Sequence, residues 1–202
     1  MQTMKKEVLH RIRRMRPGKA FVAKDFLDVA TRGTIDVALA ALVREGTIRR
    51  VRRGLYDKPK ANPSLGGTLS PDVDEAARAI ARRLRWKIVP AGAWAANLLT
   101  LSTQVPAKIV YLTDGPSKTV QIGKRAIRFQ HARPQALAGT DGPAALVVQA
   151  LRYLGKEGVR KADIRRLRTI LSAADRRKLV KQTRFGVDWI YETAKQIAGD
   201  ER

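Results

Sequence analysis

Four arginines fall within five positions, Arg49, Arg50, Arg52 and Arg53, inside the segment EGTIRRVRRGLY at 45–56. Arginine at that density is chemistry for anions, because the guanidinium is always charged and forks onto phosphate or a guanine edge. A solvated strand edge needs only one or two charges to discourage strand pairing, and four exceed that need. Strand alternation sets Arg50 and Arg52 on the face opposite Val51, while Arg49 and Arg53 are placed less firmly because a turn intervenes. Just upstream, Ile35, Leu39, Leu42 and Val43 mark the inward face of a helix. Its outward face then carries Thr34, Asp36, Val37, Ala40, Ala41 and Arg44. Thr34 and Asp36 serve either as helix-start residues or as hydrogen-bonding partners for bases. Val37 and Ala40 are small enough to meet a thymine methyl, and Arg32 in the preceding turn reaches a guanine or a phosphate.

A second basic set lies near the C-terminus: Lys161, Arg165, Arg166, Arg168, Arg176, Arg177, Lys178, Lys181 and Arg184, balanced by Asp163 and Asp175. It reads as a solvated helical face, as a second DNA contact, or as a surface for the acidic face of a protein partner. Catalytic chemistry has little support. The chain has two histidines, His10 and His131, neither beside paired carboxylates, and it lacks phosphate-loop, nucleophile-elbow and metal-ligand spacings. The densest acids, Asp72, Asp74 and Glu75, follow Ser70-Pro71 and suit the positive end of a helix better than a metal. The expectation is a binding protein and no enzyme, with no cofactor and no metal.

The elements that must position these side chains follow from periodicity. Val8, Leu9, Ile12 and Met15 give a basic first helix over 5–15, ended by Pro17-Gly18. Ala20–Val22 reads as a very short strand and Lys24–Ala30 as a second short helix, followed by a turn at Thr31-Arg32-Gly33. Thr34 caps a third helix, Ile35–Glu45, which Gly46 stops. The period then becomes two through Ile48, Val51, Leu55 and Tyr56, with the turn at Arg52-Arg53-Gly54. Three short helices followed by a hairpin is the order of a winged helix-turn-helix.

Residues 57–67 (DKPKANPSLGG) have the composition of a linker. The expected organisation is therefore a DNA-binding domain at 1–60, a linker at 61–68 and a larger mixed α/β domain at 69–202. That second part reads as a helix from Ser70, strands near 86–89 and 109–112, a small helix at 93–101 and a hairpin about Gly123-Lys124. Helices then follow near 143–154, 161–172, 174–182 and 187–198. The fold class is mixed α/β of the α+β kind.

Bulk composition agrees with an anionic partner. Among 202 residues, 41 Lys+Arg face 18 Asp+Glu, a formal net charge of +23. The charge is no detached tail, since residues 1–60 hold 16 basic and 6 acidic residues and the rest 25 and 12. Self-repulsion of this size favours a polyanion partner, with nucleic acid ahead of an anionic membrane. The chain has no cysteine, which fits a reducing cytoplasm, and no apolar run long enough for a membrane span. Its basic N-terminus lacks the apolar core of a signal peptide. Aromatic residues make up only 5%, which argues against a single-strand stacking platform.

Phe21-x-x-x-Asp25-Phe26, Ile35-Asp36-x-Ala38-Leu39-x-x-Leu42-x-x-Glu45-Gly46 and Ile48-x-Arg50-Val51-x-Arg53-Gly54-Leu55-Tyr56-x-x-Pro59 together resemble the N-terminal domain of AbiE-type antitoxins. The matched positions cover about residues 19–60. The resemblance implies a winged helix that binds and represses its own promoter. It also implies a cognate toxin that is nucleotidyltransferase-like, with antitoxicity carried by the second domain. A plain winged-helix transcription factor, a toxin-neutralising interaction protein and an RNA-binding module are the alternative expectations.

Overall fold

The computed structural model describes residues 2–64, 66–104, 106–133, 137 and 142–199. The chain is α+β and its packing divides it into two units, 1–86 with 121–126, and 87–120 with 127–202.

In the first unit, helix α1 (Gln2–Arg14) turns Val8 and Ile12 inward, and strand β1 (Ala20–Phe21) follows Pro17-Gly18. The expected second helix is shorter than its pattern suggested. It is a single 3₁₀ turn, Ala23–Phe26, closed when Val22 N donates to the Asp25 carboxylate at 3.0 Å. Helix α2 (Arg32–Arg44) starts earlier than expected, with extended Thr31 as its N-cap, so Arg32 and Gly33 belong to its first turn and Thr34 is inside it. First-turn amides lack intrahelical acceptors anyway, so the glycine there ends nothing. Strands β2 (Arg49–Arg52) and β3 (Leu55–Asp57) form the expected hairpin, and the sheet order is β1-β3-β2. The register slips between Arg50 and Arg52, so Val51 is an extra residue opposite β3. Phe21, Phe26, Ile35, Leu39, Leu42, Ile48 and Tyr56 close the core with α1, and Phe21 meets Phe26 edge-on at 5.6 Å.

The stretch read as a linker is folded. Strands β4 (Ala61–Asn62) and β5 (Gly67–Thr68) pair antiparallel, and helix α3 (Val73–Leu84) folds back onto the N-terminal elements. Opposite charges hold it there. Glu75, 4% exposed, pairs with Arg16 and with Lys19 at 3.1 Å, while Arg82 donates to Asp25 at 3.0 Å and to the Ala20 carbonyl at 3.2 Å. Lys24 Nζ donates to the Arg83 carbonyl at 3.0 Å. The boundary therefore lies after Trp86, about twenty residues beyond the expected one. No local signal tells that Glu75 and Arg82 find partners nearly sixty residues earlier.

Farther along the chain, β6 (Ile88–Ala91), β7 (Ile109–Thr113), β8 (Lys118–Ile122) and β9 (Arg125–His131) form a sheet in the order β6-β7-β9-β8. The β8–β9 hairpin was legible, but the parallel pairing of β7 with β9, Tyr111 opposite Phe129, was not. Helix α4 (Gly92–Leu98) places the Trp94 indole, which donates to the Tyr111 hydroxyl at 2.8 Å. Helices α5 (Pro143–Leu154), α6 (Lys161–Ile170), α7 (Ala173–Thr183) and α8 (Asp188–Ala198) share a core built on Ala144, Val147, Ala150, Leu151, Leu167, Leu179, Ile190 and Ile197. No helix among the described residues is long and apolar enough to cross a membrane.

Candidate nucleic-acid interface

Helix α2 owes its orientation to one apolar stripe. Ile35, Ala38, Leu39 and Leu42 are buried, which leaves Arg32, Asp36, Val37, Ala40 and Arg44 exposed and Thr34 and Ala41 half-buried. Val37 is 54% exposed, a large apolar side chain presented to solvent among polar neighbours. Arg32 Nε donates to Asp36 at 2.9 Å, and this exposed pair four residues apart is worth only about 0.3–0.5 kcal/mol. An incoming phosphate can therefore take Arg32 at little cost and leave the Asp36 carboxylate free to accept from a cytosine amino group. Thr34 is engaged with Thr31, the two hydroxyls lying 3.0 Å apart.

The hairpin separates its four arginines into two roles. Arg49 lies across Asp57, donating to the two carboxylate oxygens at 3.0 and 2.5 Å and to the Leu69 carbonyl at 2.8 Å. Asp57 is 1% exposed, so Arg49 is its counter-ion and not an outward contact. Arg50, Arg52 and Arg53 are exposed and have no ion-pair partner among the described residues. Five of the six acids at 1–60 are used elsewhere, all but Glu7 on α1: Asp25 by Arg82, Asp28 by Arg11 at 2.6 Å, Asp36 by Arg32, Glu45 by Lys5 and Asp57 by Arg49. The Arg11 guanidinium also holds the Asp28 carboxyl below its ordinary range. Positive charge at the tip of the hairpin is left uncompensated.

A fifth arginine joins the tip from α3. Gly54 turns the hairpin with φ of +73°, and a Cβ there would stand 3.1 Å from Arg83 Nη1. The Arg83 guanidinium thus lies against the turn beside Arg53, and it has no carboxylate partner among the described residues. Sequence reasoning passed over Arg83 because it sits inside an ordinary helical repeat 29 residues beyond Gly54. Only the return of α3 reveals it.

The second basic set is less uniform than its sequence. Arg168 donates to the Gln196 carbonyl at 2.5 Å and Arg176 to the Arg168 carbonyl at 3.3 Å, which ties α6 to α8 and α7, and Arg166 donates to Thr100 in the turn after α4. Lys161, Arg165, Arg177, Lys178, Lys181 and Arg184 remain exposed. Lys161, Arg165 and Arg168 line a groove of about 310 Å³ with Ile164 and Gln196. The two balancing acids are engaged locally. Asp163, 4% exposed, takes both arms of Arg160 at 3.0 Å, which holds its carboxyl below the usual range, while Ser172 caps α7 by accepting from Asp175 N at 3.1 Å and donating to the Asp175 carboxylate at 2.6 Å. Asp72 likewise caps α3 by accepting from Glu75 N at 3.1 Å, and Asp74 pairs with Arg78 at 2.7 Å. His131 contacts the Gly115 carbonyl at 3.0 Å.

An α+β chain with a basic helix-and-hairpin module is the class that this geometry defines. The match that names its family extends over residues 7–179, and the chain belongs to that family, described as a family of unknown function (DUF6088). Among solved structures, the crystal structure of RV2827C protein from Mycobacterium tuberculosis is similar over 98% of this chain and 76% of that one, with 18% identity and a TM-score of 0.42. Comparison with curated proteins gave no match.

Proposed function

We propose that the protein is a duplex-DNA-binding transcriptional repressor whose first unit works as a winged helix-turn-helix. The observation that carries this reading is the cluster Arg50, Arg52 and Arg53, exposed and without acid partners among the described residues, at the tip of a hairpin that follows α2 directly. In this reading α2 lies in the major groove, with Asp36, Val37, Ala40 and Thr34 towards base edges and Arg32 and Arg44 towards phosphates. The hairpin is the wing, and its arginines contact the backbone or a narrow minor groove. Arg49 is removed from the contact set by its ion pair with Asp57, and Arg83 is added.

The resemblance of 19–60 to AbiE-type antitoxins supports a finer statement. The chain would act as the antitoxin of a toxin–antitoxin operon, binding its own promoter, in the cytoplasm, with a nucleotidyltransferase-like toxin as its second partner. A downstream reading frame of that kind, and rescue from its product by this chain, are the expected observations.

The DNA reading is tested by fluorescence anisotropy with the chain's own promoter duplex and an equal length of structured RNA as competitor at fixed salt. Duplex DNA is expected to compete and RNA to compete poorly. Val37→Ala should cost about 1 kcal/mol at sites with a thymine under the helix and little at others. Equal competition by RNA would overturn the reading.

A further inference from the structure

The corner between α7 and α8 carries both halves of a contact. Phe185 is 92% exposed, whereas the other exposed large apolar side chains among the described residues lie between 39 and 54%. Beside it, Val187 is 49% exposed. The Arg184 guanidinium sits 5.5 Å from the Phe185 ring centroid and has no carboxylate partner among the described residues. Directly after this ridge comes a groove of about 530 Å³, mainly apolar in lining, walled by Val187, Trp189, Thr193, Asp188, Glu192 and Lys156. Asp188 is exposed and has no ion pair among the described residues, although the chain carries more than two basic residues for every acid.

Six consecutive residues, Arg184 to Trp189, thus supply a cation, an aromatic ridge, an anion and a groove wall. Asp188, with no ion pair among the described residues, disfavours a polyanion or an anionic lipid surface at this corner, whereas Glu192 is already paired with Lys195 at 2.8 Å. A two-fold-related copy of the same segment uses every feature twice, since a two-fold contact brings residue i against j and j against i.

We infer that this corner is an isologous contact with a second copy of the chain, in which Phe185 of each copy enters the groove of the other and Arg184 of each meets Asp188 of the other. Aromatic anchors seated in pockets carry most of the energy of such contacts, and the charge pairs set their register. The inference is independent of the DNA reading. Two copies would nonetheless suit a repressor that reads paired half-sites.

Sedimentation velocity of the full chain over a micromolar concentration series, without DNA, tests it. The wild type should show a concentration-dependent monomer–dimer equilibrium. Phe185→Ser should raise the dissociation constant about twenty-fold or more. Phe185 is so exposed that the variant should keep the wild-type circular dichroism. Arg184→Asp alone should weaken the dimer, and Arg184→Asp with Asp188→Arg should restore it, because the pair is rebuilt in reverse. A wild type monomeric throughout the series, or a dimer unaffected by Phe185→Ser, would overturn the contact. Dissociation by Phe185→Ser without rescue by the charge swap would overturn the two-fold arrangement.

Discussion

Arg49 and Arg50 are chain neighbours of the same type with opposite roles, and the difference lies in one buried carboxylate. Removing Arg49 would strand Asp57, whose side chain is almost fully covered, whereas removing Arg50 exposes nothing new. Urea denaturation should therefore find Arg49→Ala destabilised by about 3 kcal/mol and Arg50→Ala within about 0.5 kcal/mol of wild type. The order should reverse for binding to promoter DNA once the comparison is made on folded protein. Nothing in the run RRVRR gives Arg49 a buried carboxylate, because its partner Asp57 is set by a cross-strand register that the sequence does not spell out. The exposure of Arg50 and Arg52 was legible from alternation alone. Asp163 makes a second prediction at this scale. Its carboxyl is held low by Arg160, so that pair stabilises fully above the ordinary Asp value of about 3.9 and stops doing so as pH falls through the lower folded value. Acid titration of stability should show a smaller loss below about pH 4 in Asp163→Asn than in wild type.

Helix α3 shows how an element can be read correctly and assigned to the wrong neighbours. Its acid-rich first turn was plain, since capping and dipole chemistry are local, although the helix starts at Val73 behind an Asp72 cap and not at Ser70. Its return to the N-terminal module was not, because Arg16, Lys19 and Asp25 are distant in sequence and each looks like an ordinary surface charge. The parallel neighbour of β7 was hidden for the same reason, whereas the C-terminal helices lie close to the expected ranges. The double attachment of Glu75 predicts non-additive loss. Arg16→Ala should cost about 1 kcal/mol while Lys19 remains, but Arg16→Ala with Lys19→Ala should cost clearly more than the sum of the single changes, because the carboxylate is then buried alone. A double-mutant cycle by thermal or urea unfolding measures that coupling. At the hairpin turn, Gly54→Ala should cost about 1–2 kcal/mol, since an L side chain rarely adopts φ of +73°.

Across the whole molecule the decisive quantity is a net charge of +23, distributed over folded elements. Such a protein binds any polyanion at low salt, so affinity alone says little about where DNA is held. The assignment of Arg50 and Arg52 to phosphates is more specific, because each phosphate that an arginine neutralises releases condensed counterions. The direct test is the slope of log affinity against log salt for the promoter duplex, measured for wild type and for Arg50→Ala with Arg52→Ala. The wing assignment predicts a slope shallower by about 1.8, at roughly 0.9 for each phosphate no longer neutralised, with unchanged stability. An unchanged slope and unchanged affinity in the double variant would contradict it.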